Sequence, residues 1–135
     1  MDPKPRNILD ILGIKIRIND KAERLPKAEL LVGEMFMGDD LISDDCILDN
    51  TIYNEALNLL FFVKAHRINY YYYFTINFYN PETKTLCEFD KEFEMLYLKE
   101  FISDNEIHVY NSFNDQVGNN YYFKLDEEDF HVVPQ

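Results

Sequence analysis

Strict alternation of apolar and polar residues marks the first regular element of the chain. The segment IKIRI, from Ile14 to Ile18, places three isoleucines on one side and Lys15 and Arg17 on the other. Because successive side chains of a strand point to opposite faces, this pattern predicts a β-strand with its isoleucines turned inward.

A helical pattern is strongest in residues 51–66, TIYNEALNLLFFVKAH. Apolar residues recur there at helical spacing on one side, and Asp49, Asn50 or Thr51 offers a polar cap for the amino end. Residues 27–37, KAELLVGEMFM, are interpreted as a shorter helix. Residues 38–50, GDDLISDDCILDN, are interpreted as an irregular acidic connection.

A period of two returns in residues 69–80, NYYYYFTINFYN, which the turn NPET connects to residues 84–89. The turn residues predict a β-hairpin, and its symmetric register places Tyr79 opposite Lys84. The predicted core face comprises Tyr72, Phe74, Ile76, Phe78, Cys87 and Phe89. The opposite face comprises Tyr71, Tyr73, Thr75, Asn77, Tyr79, Lys84, Leu86 and Glu88.

Three later segments, 92–98, 106–113 and 121–125, are also predicted strands, the last two forming a second hairpin. The expected fold class is therefore α+β, with a mainly antiparallel sheet of about five strands packed on one principal helix at residues 51–66. A length of 135 residues predicts a single domain, 1–135, of which we expect residues 1–7 to be mobile.

The charge of the chain is strongly negative and unevenly distributed. Residues 1–27 hold seven basic and four acidic residues, a net +3, whereas the other 108 residues hold six basic and 21 acidic residues, a net −15. Such a body repels phosphates, so we expect no direct binding of nucleic acid. The same field speeds encounter with a basic protein, although solubility alone also explains an acidic surface.

Metal and redox sites have little support in the sequence. Cys46 and Cys87 are isolated and are interpreted as free buried thiols, and the three histidines lack the spacing of a zinc site. The acidic run at 39–49 lacks the glycine of an EF-hand, which leaves a looser calcium site as an alternative to a solvated acidic loop. We predict neither a bound metal nor a cofactor.

Catalytic signatures are equally weak. Cys87 is predicted to face the core, where a thiol is inert, and the four glycines form no phosphate-binding loop. The expectation is that the chain is not an enzyme. The longest apolar run, from Leu57 to Val63, is too short to span a membrane, and no secretory signal is visible, so we expect a cytoplasmic protein that does not bind membranes.

The tyrosine row of residues 70–73 carries the functional hypothesis. Half of these tyrosines must point away from the core, and exposed tyrosine is typical of protein interfaces. The chain is therefore predicted to be an acidic protein-binding module, an inhibitor or immunity protein that neutralises a basic toxin or nuclease. The predicted partner-binding residues are Tyr71, Tyr73, Tyr79, Asp39, Asp40, Asp44 and Asp45.

Two alternatives stay open at this point. A curved sheet packed on a helix can enclose a tyrosine-lined pocket, which predicts a small-ligand-binding domain or a cofactor-free enzyme with His108 or Asp129 as the base. The tyrosine face can also serve as the interface of a homodimer, which predicts a structural subunit.

Overall fold

Two antiparallel sheets make up nearly the whole of the computed structural model, which describes residues 8–17, 32–69, 71–112 and 119–134. A five-residue helix, α1 (Ile8–Leu12), precedes the first strand, and a single 3₁₀ turn (Glu127–Asp129) precedes the last. The strands are β1 (Ile14–Arg17), β2 (Val32–Met37), β3 (Asp40–Asn54), β4 (Leu59–Ile68), β5 (Tyr71–Asn80), β6 (Thr85–Phe89), β7 (Tyr97–Ser103), β8 (Glu106–Tyr110), β9 (Asn120–Lys124) and β10 (Phe130–Val132).

The larger sheet has seven strands in the order β1-β2-β3-β4-β5-β6-β10, and the smaller has the order β7-β8-β9. The sheets pack face to face through a first core cluster, to which β4 and β5 contribute Phe61, Val63, Phe74 and Ile76. The smaller sheet contributes apolar side chains such as Ile107 from β8. We call the face of the seven-stranded sheet that carries Phe61 the sandwich face.

The opposite face of the seven-stranded sheet, here the outer face, carries a second core cluster. Leu60 and Phe62 of β4 are fully buried there, and Leu9 and Leu12 of α1 pack against the cluster. The first half of strand β4 is therefore covered on both faces. The burial of this apolar area stabilises the fold. The buried members of the cluster are Ile14, Met35, Ile42, Cys46, Leu60, Phe62, Tyr79 and Leu86.

The predicted principal helix at residues 51–66 is wrong, and with it the α+β fold class. These residues form the end of β3, a turn at 55–58 and the first part of β4, and Asn58 at the end of the turn has a left-handed φ of 53°. Because both faces of β4 are buried, its sequence is a continuous apolar run without the period-two signal.

The short helix predicted at 27–37 is also wrong where the structure describes it, because residues 32–37 form β2; residues 27–31 lie outside the described residues. The irregular connection predicted at 38–50 is strand β3 from Asp40 onward. Its pairing with β4 shifts between Cys46 and Thr51, and this bulge disturbs the alternation expected of a long strand.

The predicted hairpin of β5 and β6 is confirmed, but its register differs by two residues. Tyr79 pairs with Leu86 rather than Lys84, and Asn77 pairs with Glu88. A shift of two leaves every side chain on its predicted face, because strand side chains alternate with that period. Only a shift of an odd number of residues exchanges the faces.

Other strand predictions are partly confirmed. Strand β1 turns Ile14 inward as expected, and β8 and β9 form the second hairpin. The strand predicted at 92–98 begins only at Tyr97, while Phe93 makes an isolated bridge to Phe74. Residues 1–7 and Ile18 lie outside the described residues.

Candidate functional site

A strip of polar and aromatic side chains crosses the outer face beyond the second core cluster. Its members come from different strands that pairing brings side by side. Lys64 and His66 of β4 pair with Thr75 and Tyr73 of β5. Glu88 of β6 pairs with His131 of β10. Asp44 and Asp90 touch the ends of this row. We define the polar strip as Asp44, Lys64, His66, Tyr71, Tyr73, Thr75, Glu88, Asp90 and His131.

Glu88 lies at the centre of the polar strip, with a side chain only 16% exposed. Thr75 Oγ1 donates a hydrogen bond of 2.7 Å to Glu88 Oε2, and His66 Nε2 lies 2.8 Å from the same oxygen. Desolvation raises the pKa of the Glu88 carboxyl, but these hydrogen bonds and the charges of His66 and Lys64 outweigh it and lower the pKa to about 2. Glu88 is therefore an ionised, largely buried acid.

His131 lies between two carboxylates. Its Nδ1 is 2.6 Å from Asp90 Oδ1, and its Nε2 is 3.5 Å from Glu88 Oε1. Strand β10 holds His131 in this position by pairing with β6, where His131 is the direct partner of Glu88. The strip therefore ends in an exposed histidine with an acid on each side.

Tyr73 and Tyr71 form the aromatic part of the polar strip. The ring of Tyr73 stacks on that of His66, with centroids 4.6 Å apart and planes within 3° of parallel. Burial raises the pKa of Tyr73, and the charges of Glu92 and Glu88 add to the effect. Tyr71 is 60% exposed, so this part of the face presents aromatic surface.

The four predicted aspartates are all exposed, and they lie at the turn between β2 and β3 and along β3. Asp44 forms a salt bridge of 3.2 Å with Lys64, and this contact joins Asp44 alone of the four to the polar strip. Asp40 lies 3.9 Å from the ammonium of Lys84, and Asp45 has a left-handed φ of 52°. The structure thus brings Tyr71, Tyr73 and Asp44 onto one continuous surface.

Tyr79 does not belong to that surface. It is only 2% exposed and packs in the second core cluster with Leu60 and Leu86. Burial, and after it the charge of Asp40, raise the pKa of its phenol. We therefore exclude Tyr79 from the contact surface, since a sealed side chain offers no area to a partner.

The sequence alone does not indicate His66, Glu88 or His131 as site residues. The alternation of the predicted hairpin puts Glu88 on the same face as Thr75, and this is the one feature of the sequence that points to the site. The histidines belong to β4 and β10, and their proximity depends on strand pairings that a single sequence does not reveal. His66 and Glu88 are 22 positions apart, and Asp90 and His131 are 41 apart.

Cys46 and His108 are both buried side chains. Burial raises the pKa of the Cys46 thiol to about 12, and its Sγ donates to the carbonyl of Ser43. Both cysteines are free, and Cys87 is half-buried. His108 is 9% exposed, stacks on Tyr122 and bonds to Asn120. A buried thiol of high pKa is a poor nucleophile.

Two cavities among the described residues are lined by side chains other than the tyrosine row. One, of about 260 Å³, opens beside β9 and is lined by Phe93, Met95, Tyr121 and Phe123 together with charged side chains. Within the described ranges, no group of three or more His, Cys, Asp or Glu side chains is placed to hold a metal ion.

No helix in the described part of the chain is long and apolar enough to cross a membrane. Comparison of the chain with protein-family models, with curated proteins and with solved structures finds no match.

Proposed function

We propose that this chain is an acidic protein-binding module that captures a basic protein, in the manner of an inhibitor or immunity protein that covers the surface of a basic toxin or nuclease. The observation that carries the proposal is the continuity of Tyr71, Tyr73 and Asp44 on the outer face, joined through Lys64. Aromatic contact area and negative charge thus occur on one surface.

The tyrosines suit the centre of such a contact. Stacking on His66 fixes the ring of Tyr73 before any partner arrives, so little side-chain entropy is lost on binding. Tyr71 adds exposed area with a polar tip. Rigid amphipathic rings of this kind are common among interface residues that dominate binding energy.

The acids suit the approach of a basic partner. Asp39, Asp40, Asp44 and Asp45 are all exposed, and the chain beyond residue 27 carries a net −15. Asp44 contacts the polar strip through Lys64, whereas Asp40 lies beside Lys84 at the far end of β5. Long-range attraction between opposite charges raises association rates, most strongly at low salt. A basic protein surface is the matching partner.

The two alternatives have less support. A tyrosine-lined pocket needs open space on the outer face, but Tyr79 and Phe62 fill its centre with buried side chains. A homodimer through the same face would place two acidic surfaces against each other, and like charges in contact are unfavourable. The prediction that the chain is not an enzyme accompanies the binding proposal.

The test is capture of a partner followed by measurement with the purified pair. The immobilised chain should retain a basic protein from an extract of its source cell, and binding should suppress that protein's toxic or nuclease activity. Tyr71→Ala and Tyr73→Ala should each weaken the purified complex, by about 2 kcal/mol for a binding hot spot.

Tyr122→Ala is the matched control, because Tyr122 is 57% exposed but lies on the smaller sheet. It should leave the affinity unchanged. Capture of only acidic proteins, or equal losses from Tyr122→Ala and Tyr71→Ala, would contradict the proposal. Self-association of the chain alone, measured by sedimentation, would favour the homodimer.

A further inference from the structure

The two oxygens of the Glu88 carboxylate are unequally satisfied. Oε2 receives the close contacts from Thr75 and His66, whereas Oε1 is approached by His131 Nε2 at 3.5 Å. A charge-assisted hydrogen bond between nitrogen and a carboxylate is normally about 2.7–2.9 Å long. Oε1 therefore has room for a better donor.

A buried amide on the neighbouring strand supports the Glu88 carboxylate. Asn77, the direct cross-strand partner of Glu88 on the outer face, is fully buried, and its Oδ1 has no hydrogen-bond partner among the described residues. Its Nδ2 donates to Thr75 Oγ1, which in turn donates to Glu88. Asn77 thereby helps to orient Thr75 and, through it, the Glu88 carboxylate.

We propose that Glu88 and Asp90 form a binding site for the guanidinium group of a partner's arginine, with His131 as the group that the arginine displaces. The inference rests on the proposed function and specifies which side chain of the basic partner is recognised. In the free protein the His131 ring places one nitrogen towards each carboxylate. A guanidinium can offer a planar set of N–H donors to the same two acids.

Arginine fits this site better than lysine. The guanidinium carries five donors in a rigid fork, so it can serve two carboxylates at once, whereas an ammonium is a compact and strongly hydrated charge.

Displacement of His131 requires little rearrangement. Its side chain is 52% exposed, so rotation into solvent breaks few contacts. The backbone of β10 stays paired with β6 through Phe130 and Val132. The site can therefore open by movement of one side chain while the sheet stays intact.

The test uses N-acetyl-arginine amide as the probe, titrated at pH 7 into the full chain while the imidazole signals of His131 are followed by NMR. The arginine probe should shift these signals along a saturable curve. The lysine analogue should bind several-fold more weakly, and the uncharged citrulline analogue should give no saturable shift. Equal responses to all three compounds would overturn the proposal.

Variants distinguish a binding site from a general charge effect, with affinity read from backbone amide signals near residues 88–90. Asp90→Asn should weaken the arginine probe by about tenfold, the scale of one charged hydrogen bond. Glu88→Gln should weaken it at least as much, whereas Glu82→Gln, an exposed acid in a turn, should not. Unchanged affinity in Asp90→Asn would overturn the proposal.

His131→Ala provides a result that loss of folding cannot imitate. Removal of the competing imidazole should strengthen binding of the arginine probe, whereas weaker binding would count against displacement. Partner capture is scored separately. If the basic partner binds but the probe does not, the arginine site fails alone; if the probe binds but no basic protein does, the proposed function fails.

Discussion

The side-chain amide of Asn50 takes the place of a neighbouring strand beside Leu98. Its Nδ2 donates to the Leu98 carbonyl at 3.1 Å, and its Oδ1 accepts from the Leu98 N–H at 3.0 Å. Both residues are buried, and the contact ties β3 of the larger sheet to β7 of the smaller one. One residue thereby satisfies two backbone groups at the junction of the sheets.

Asn50→Ala should therefore be strongly destabilising. The substitution leaves a buried N–H and a buried C=O without partners, and each costs about 1–3 kcal/mol. The free energy of unfolding in urea should fall by about 2–4 kcal/mol on that basis. Asn105→Ala, at an exposed turn, should change it by about 0.5 kcal/mol or less, and a similar loss in both variants would refute the role of Asn50.

The tyrosines of β5 should differ in their effect on stability. Tyr79→Ala opens a cavity in the second core cluster and should cost about 3–5 kcal/mol, as loss of a large buried aromatic does. Tyr71→Ala removes a ring that is 60% exposed and should cost about 0.5 kcal/mol or less. Thermal unfolding of both variants measures the contrast; equal melting temperatures would show that the outer face is packed differently.

Glu88 should make stability depend on pH in the acid range. Its folded-state pKa of about 2 is below the ordinary 4.5, so its contribution is complete above pH 4.5 and is lost as pH falls towards 2. With about 1.4 kcal/mol for each pKa unit, the contribution is at most about 3 kcal/mol.

The measurement is urea unfolding between pH 6 and pH 2 for the wild type and Glu88→Gln. The wild type should be more stable at pH 6, and this advantage should shrink as the pH falls below 4.5. Glu82→Gln controls for removal of one negative charge from the surface. A constant difference between wild type and Glu88→Gln across the range would show that the carboxylate is not stabilised by its partners.

The exposed aspartates should control the rate of partner association. Replacement of Asp39, Asp40, Asp44 and Asp45 by asparagine should slow association and flatten its dependence on salt, because screening acts on the charges removed. Stability should change little, since the Asp44–Lys64 pair is at the surface and Asn tolerates the left-handed φ of Asp45. Stopped-flow measurements over a salt series provide the check, and salt-independent association of the wild type would contradict steering.

Sequence patterns predicted the strands that carry alternation or a recognisable turn, and they failed for β4, which is buried on both faces and has neither signal. The alternation of Ile14 with Lys15 identified β1, and the NPET turn identified the hairpin of β5 and β6. The run from Leu59 to Val63 has no alternation, because one face packs on the smaller sheet and the other on the second core cluster. Apolar spacing within such a run matches a helix by coincidence.

The candidate site was predictable only within one hairpin. The alternation of β5 and β6 placed Tyr73, Thr75 and Glu88 on the same face, and that placement is confirmed despite the register shift. His66 and His131 join them through pairings of β4 with β5 and of β6 with β10. The partners of these strands depend on the tertiary fold, which local patterns do not encode.

The position of β10 has a consequence for synthesis of the chain. Phe130 of β10 pairs with Phe89 of β6. The edge of β6 away from β5 therefore has no neighbouring strand until the segment around Phe130 has left the ribosome. An open strand edge is a template for pairing with other chains. Mutual repulsion between chains of net charge −12 opposes such pairing, and this effect does not depend on any partner.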